Sequence, residues 1–233
     1  MARVLVLTGG PDHAHDFLRT GASLAGLIGT VGHHVEVLDD PDAAAGRLDE
    51  GDVDALVVNA LRWRMEGEAY EPWREAWAYQ TPDSTRRSIS GFVTAGGGLF
   101  GNHTASICFD DWSGWRDVLG GSWRWGRSSH PAYGPVSATL HGSHPVIDGL
   151  PSELHVIDEV YGDLDLAPGI EVLATARRTP DDLPQPVLWA HQHGQGRVVY
   201  DGFGHDAASL EHPDHARLIR RAVAWVAHDG RSD

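Results

Sequence analysis

Residues 96–105 read GGGLFGNHTA, and the fold turns on this stretch. Three glycines lead into a short apolar strand, the chain turns sharply at Gly101-Asn102-His103, and helix-like sequence resumes. In an open α/β sheet, residues at the carboxyl end of a strand face the crevice where ligands bind. A tight strand-to-helix elbow presents its central side chain there and needs small neighbours. Gly101 and Ala105 supply them, two residues to either side of His103. The residue presented is a histidine, where such elbows more often carry Ser or Cys. The plainer alternative makes residues 96–98 a loop between a helix and a buried strand, with His103 hydrogen-bonded in the core.

Working outward, residues 3–7 form a continuous apolar run, the mark of a strand buried on both faces. Thr8-Gly9-Gly10-Pro11 ends it. Phe17, Leu18, Leu24, Leu27 and Ile28 then recur at helical spacing, with Gly32 as terminator. Residues 34–38 and 53–60 read as the next two strands, separated by a solvated acidic turn at residues 39–42. This β-α-β-(α)-β order predicts a parallel sheet with right-handed crossovers. Residues 62–80 are an aromatic, charged, partly helical excursion in which Tyr70, Trp73 and Trp77 share a packed face. Residues 85–95 read as the helix that feeds the glycine run. Trp112, Trp115 and Leu119 mark a short helix stopped at Gly120-Gly121. Further on, residues 136–140 alternate like an antiparallel strand, and residues 171–176, 185–190 and 198–200 are further strands. Leu218, Ile219, Ala222, Val223 and Val226 define a closing amphipathic helix.

A chain of 233 residues, 41% hydrophobic and 22% charged, suits one large soluble α/β domain. A formal net charge of −15 argues against nucleic acid and an anionic membrane surface as partners. There is no lysine, which excludes Schiff-base chemistry and a Walker-type phosphate lysine. Cys108 is the only cysteine, read as a buried inert thiol, so neither disulfides nor a cysteine zinc cluster are expected. The N-terminal apolar run is too short for a signal peptide or membrane span, so the expected location is cytoplasmic. Fifteen histidines stand out, and imidazole suits acid–base work near neutral pH or metal ligation.

Several polar groups fall at strand ends: His15 after the first strand, Asn59 ending the third, His103 at the elbow, Glu159 after an extended segment, and His205 after the last strand. Ends of neighbouring parallel strands share one edge, so His15, Asn59 and His103 are expected to converge. Whether Glu159 and His205 join them depends on strand directions that the pattern leaves open. Solvent-facing roles are expected for His33, His34, His141, His191, His193, His212, His215 and His228.

Eight motifs occur in order: GG-x(4)-HDF at residues 9–17, GGGLFGNHTA, the loop ending in His130-Pro131, His144-Pro145-Val146, Asp158-Glu159-Val160-Tyr161, Gln185-Pro186-Val187-Leu188-Trp189, Gly194-x-Gly196-Arg197-Val198 and Gly202-Phe203-Gly204-His205. Together they resemble the ThuA-like (trehalose utilisation) family over residues 2–228, as a single domain at residues 1–230. The resemblance implies a flavodoxin-like three-layer α/β sandwich with a mostly parallel central sheet, similar to the class I glutamine amidotransferases. Those enzymes hold a nucleophilic Cys in a G-x-C-x-G elbow. Here His103 replaces it, which argues against glutaminase chemistry.

The resemblance implies carbohydrate metabolism instead, on 3-keto-disaccharides or related sugars made by a partner sugar dehydrogenase. Elimination, hydrolysis or isomerisation would follow from His/Glu acid–base chemistry. His103, Glu159 and His205 are the expected catalytic residues, with His103 as base or enolate donor. His15, Asn59, His130, Asp158 and Trp189 are expected to bind substrate. No cofactor is required by this reading. A second reading places a divalent metal on His103, His130, Glu159 and His205. A third makes the protein a non-catalytic sugar-binding or interaction module. Formation of a homo-oligomer is left open.

Overall fold

In the computed structural model, which describes residues 1–13 and 15–228, the first apolar run forms β1 (Arg3–Gly9). Its alternate side chains serve two cores. Val4 and Val6 pack with Leu24 and Ile28 of α1 (Phe17–Thr30), whereas Leu5 and Leu7 pack with Ala44 and Leu48 of α2 (Pro41–Asp49). A strand buried on both faces must read as an unbroken apolar run, which is why period-two alternation is missing here. Asp16 caps α1, accepting from Arg19 N at 3.0 Å. The buried side of this helix comes so close to β1 that a Cβ on Gly21 would stand 2.7 Å from Thr8 Oγ1.

The acidic segment at residues 39–42 is more ordered than the solvated turn expected. Asp40 accepts from Asp42 N and Ala43 N, both at 2.8 Å, and Pro41 occupies the first turn of α2. These are the residues a helix start favours. β2 (His34–Leu38), β3 (Ala55–Ala60) and β4 (Gly98–Asn102) complete the parallel half with β1. The aromatic excursion contains α3 (Glu71–Trp77), and Tyr70, Trp73 and Trp77 pack against Phe17, Leu61, Trp63 and Met65. The helix α4 (Asp83–Thr94) lies beside α2 and buries Ile89 and Val93 in the same core. The short α5 (Trp115–Leu119) stops at Gly120, which has a φ of 90°.

β5 (Gly121–Ser122) and β8 (Asp165–Leu166) make a separate two-stranded pair. The remaining strands are β6 (Gly134–Leu140), β7 (Glu153–Asp158), β9 (Glu171–Ala176), β10 (Gln185–His193) and β11 (Gly196–Asp201). Among the described residues the main sheet has nine strands, ordered β2-β1-β3-β4-β11-β10-β9-β6-β7. β2 through β11 in that order are mutually parallel, and each later neighbour is antiparallel. Four reversals return β7 to the direction of β4 and β11, so its carboxyl end reaches the same edge.

Sheet order alone leaves β7 five strands from β4. The contacts of Glu159 with His103 and His205 require the antiparallel half to curl back toward β4. Register shifts interrupt β9–β10 near Leu188, and such irregularities increase local twist. β6 pairs with β9 only at Ala138, Thr139 and Leu140 yet with β7 from Gly134 to Thr139, so the first half of the β6–β7 hairpin peels away. After α6 (Ala207–Leu210), α7 (Pro213–Val226) closes the chain beside α1 and over β4. Helices thus cover both faces of the parallel half, giving the three-layer sandwich. Among the described residues no helix is long and apolar enough to cross a membrane.

Two histidines expected to face solvent are buried. His33 is 7% exposed and its Nδ1 accepts from Ala2 N at 3.2 Å. His215 is fully buried, with Nε2 2.7 Å from Asp201 Oδ2.

Candidate active site

His103 stands immediately after β4 with a φ of 44°, opening a short 3-10 turn, His103–Ser106. A left-handed conformation is unfavourable for a residue with a Cβ, and the surroundings hold it. Tyr200 of β11 donates its hydroxyl to His103 O at 2.9 Å, and Thr104 Oγ1 donates to Ala60 O at 2.7 Å. Gly101 must lack a side chain because a Cβ there would meet Leu119 Cδ1 at 2.4 Å. The imidazole is 1% exposed. Its Nδ1 lies 2.8 Å from Gly202 O; a carbonyl can only accept, so Nδ1 carries the hydrogen and Nε2 presents a lone pair.

Three other side chains meet that lone pair. His15, from the loop after β1, places Nε2 at 2.9 Å. Tyr161 places its hydroxyl at 3.0 Å, and Glu159 Oε2 lies at 3.7 Å. His205, from the loop after β11, brings Nδ1 to 3.4 Å from Glu159 Oε2. His130 sits at the rim with Nδ1 donating to Pro131 O at 2.9 Å and 3.2 Å from Glu159 Oε1. Glu159 is 7% exposed, so the paired acids are not the solvated turn that adjacent carboxylates usually make.

Electrostatics divide the histidines. Burial pushes the His15 pKa down to about 2, with the neighbouring His103 and His205 adding to the effect. Burial also lowers His103, against an opposing pull from Asp158. His130 and His205 move upward because each faces the Glu159 carboxylate. Burial would raise Glu159, but His130 and His205 outweigh it and hold the carboxyl well below its usual range.

Asp158 does something other than bind substrate. It is 1% exposed, and its oxygens accept from Glu159 N at 2.8 Å, Gly204 N at 2.7 Å and the Ser209 hydroxyl. It therefore clamps the end of β7 to the loop after β11. Asn59 is also spent internally, donating to Thr8 Oγ1 at 3.2 Å and Thr20 Oγ1 at 3.0 Å. Trp189 is 0% exposed, stacks on Tyr200 at 4.1 Å between centroids, and donates Nε1 to Leu119 O. It is a core side chain of β10 and lines no opening. Cys108 is buried, donates to Ala60 O, and has its thiol pushed up to about 12 by burial.

The structure adds side chains that sequence reasoning did not assign to the site. Tyr161 belongs to the Asp158-Glu159-Val160-Tyr161 motif, so its place in the motif was the available signal. Trp123 packs edge-on to Tyr161, with 5.2 Å between centroids, and Trp125 lies beyond it at 6.2 Å, 43% exposed. Their loop carried no periodicity that would assign them a side.

This architecture defines a class: an amidotransferase-like α/β sandwich in which an imidazole occupies the elbow. The model of the ThuA family, described as trehalose utilisation, matches residues 3–226, and the chain belongs to that family. Membership marks it as related to carbohydrate utilisation. A protein described as ThuA-like from Parabacteroides merdae superposes with a TM-score of 0.78 at 18% identity, covering 97% of this chain and 90% of that one. A second, from Bacteroides uniformis, gives 0.73 at 16% identity, covering 97% and 91%. A glutamine amidotransferase of Thermotoga maritima gives 0.58 at 11% identity, covering 97% and 98%. At these identities the likeness speaks for the fold. No curated protein matches the chain.

Proposed function

We propose that the protein acts on a carbonyl-bearing sugar of the 3-keto-disaccharide type, moving the proton on the carbon next to the carbonyl. The observation that carries this reading is the convergence of His15, His103, Glu159 and His205 at one point on the carboxyl edge of the sheet. A proton beside a carbonyl is acidic because the enolate places its charge on oxygen. Its removal needs polar groups at that oxygen, a base at carbon, and an acid for any departing group.

The buried cluster is the oxygen-binding end, where the Tyr161 hydroxyl and His205, its pKa raised by the facing Glu159, are the groups able to donate. His130 is the base, because Pro131 O and Glu159 hold its Nδ1 and leave the Nε2 lone pair for the proton. Trp123 and Trp125 offer flat faces against which a sugar ring stacks. When the C2 proton passes to His130, the C–H electrons form a C1–C2 double bond, the C1–O bond breaks, and the proton is returned to the departing oxygen. A dehydrogenase that oxidises the C3 hydroxyl would supply the substrate.

The test is incubation of a 3-keto-disaccharide with the protein in deuterium oxide, followed by proton NMR. Loss of the C2 proton signal, or release of the second sugar, is expected. His130→Ala should slow it roughly 10²–10⁴-fold, the usual worth of a positioned base. Binding of the keto-sugar with neither exchange nor cleavage would refute the reading and leave a sugar-binding module.

A further inference from the structure

We infer that His15, His103, Glu159 and His205 bind one divalent first-row transition ion of the zinc type. The inference deepens the proposed function, resting on it for the ion's chemical purpose but not for the site's geometry. One donor atom from each of the four residues lies within 4.8 Å of every other. Bonds of about 2.0–2.1 Å to one tetrahedral ion would place donors about 3.3 Å apart. The contacts here bracket that value: 2.9 Å for His15 Nε2 to His103 Nε2, 3.4 Å for His205 Nδ1 to Glu159 Oε2, and 3.7 Å for His103 Nε2 to Glu159 Oε2.

Hydrogen bonding alone does not close this cluster. His103 directs a single lone pair from Nε2, and both His15 Nε2 and the Tyr161 hydroxyl approach it. Only one of them can donate into it. A carboxylate oxygen facing the same lone pair is repelled unless positive charge lies between. Glu159 Oε2 and His205 Nδ1 are buried with no hydrogen-bond partner, although they are neighbours. Buried polar atoms are rarely left so. A proton on His205 Nδ1 would serve Glu159 Oε2 as well, but it would leave His15 Nε2 and the Tyr161 hydroxyl competing for the one His103 lone pair, whereas a cation at the centre engages all four side chains.

Three imidazole nitrogens and one carboxylate oxygen suit zinc and its first-row neighbours, whereas magnesium and calcium prefer oxygen throughout. The bond from His103 Nδ1 to Gly202 O is the outer contact that metal-bound histidines commonly carry. The ligand set differs from the sequence-based expectation in one member. His15 takes the place of His130, which instead steadies Glu159 through its other oxygen. With all four side chains bound, a carbonyl oxygen would have to enter as a fifth ligand, and there the ion would polarise it as a Lewis acid.

The test uses the full chain without an affinity tag, stripped with chelator. Calorimetric titration should show one Zn²⁺ per chain and no response to Mg²⁺. Titration with Co²⁺ should give the strong visible absorption of a four-coordinate site. His103→Ala and Glu159→Gln should weaken Zn²⁺ binding roughly 100-fold or more, against the smaller effect of changing an outer contact. His130→Ala should retain the ion. Should the ligand variants fail to fold, the cobalt spectrum and a zinc-dependent rise in Tm of the native chain decide the matter alone. No Zn²⁺ binding by the native chain, or binding that survives His103→Ala, overturns the inference. Full-rate C2 exchange by chelated protein would remove the ion and leave the proposed reaction. One bound ion without exchange would do the reverse.

Discussion

Replacing Asp158 with alanine tests what holds the site together. The carboxylate is 1% exposed and receives three close donors: Glu159 N at 2.8 Å, Gly204 N at 2.7 Å and the Ser209 hydroxyl. His205 N lies further off, at 3.4 Å. A buried donor left without a partner costs about 1–3 kcal/mol. Three would cost up to ~9 kcal/mol, but water entering the vacated space recovers part, so the expected loss is about 3–5 kcal/mol. That is a large share of the roughly 5–15 kcal/mol that holds a domain folded. Urea unfolding with linear extrapolation measures it directly. Because the three donors lie just after β7, on the loop carrying His205 and on α6, the loss should also reach the site. C2 exchange and Zn²⁺ affinity should both fall under conditions where the variant is still folded. A stability loss below about 1 kcal/mol would refute the energetic reasoning, and native-like zinc binding and exchange would refute the clamp.

Three further outcomes are expected. Gly98→Ala would place a Cβ 2.3 Å from Val226 O, and backbone cannot swing aside; a cost of about 3 kcal/mol should lower Tm by roughly 6–12 °C, and a shift under ~2 °C would refute the close packing of α7 on β4. Burial lowers the pKa of His215, but the charge and hydrogen bond of Asp201 outweigh it and leave it raised. A raised folded value gives stability that is complete below the ordinary histidine range and is lost as pH climbs through the folded pKa. The stability gap between the native chain and Asp201→Asn should therefore narrow as pH climbs above the ordinary histidine range, and a constant or widening gap would count against the pair. Trp189→Phe removes one buried hydrogen bond and should cost about 1–2 kcal/mol while leaving keto-sugar binding unchanged; a raised KM would return the ring to the site.

The parallel half was legible because doubly buried strands announce themselves as apolar runs, and because the elbow needs small residues around one presented side chain. His103 was placed on those grounds, and its left-handed φ follows from the same turn. Asp158 and Glu159 could be singled out but not located, since nothing local encodes whether a strand runs up or down. Their position depends on four successive reversals and on the coil of the β6–β7 hairpin. Trp189 is ambiguous in the sequence because a tryptophan on a strand reads the same whether its ring meets Tyr200 or a sugar. His215 and Asn59 were similarly opaque, since their burial depends on partners 14 and 39 residues away.

An imidazole at the elbow would support the proposed chemistry only because the antiparallel half delivers a carboxylate to the same point. A histidine alone at the end of β4 would be a buried base with a lowered pKa and nothing to act with. Cys108 cannot restore acyl transfer, since its thiol is buried, bonded to Ala60 O and pushed up to about 12. Glu159 arrives from a strand five places away in the sheet, and Asp158 ties it to the loop that carries His205. On the proposed reading, the elbow would set where chemistry happens, and the return of β7 to the same edge would set which groups take part. Substitutions that straighten β6–β7 should abolish ion binding and exchange together without touching His103, an outcome that changes at the elbow alone would not produce.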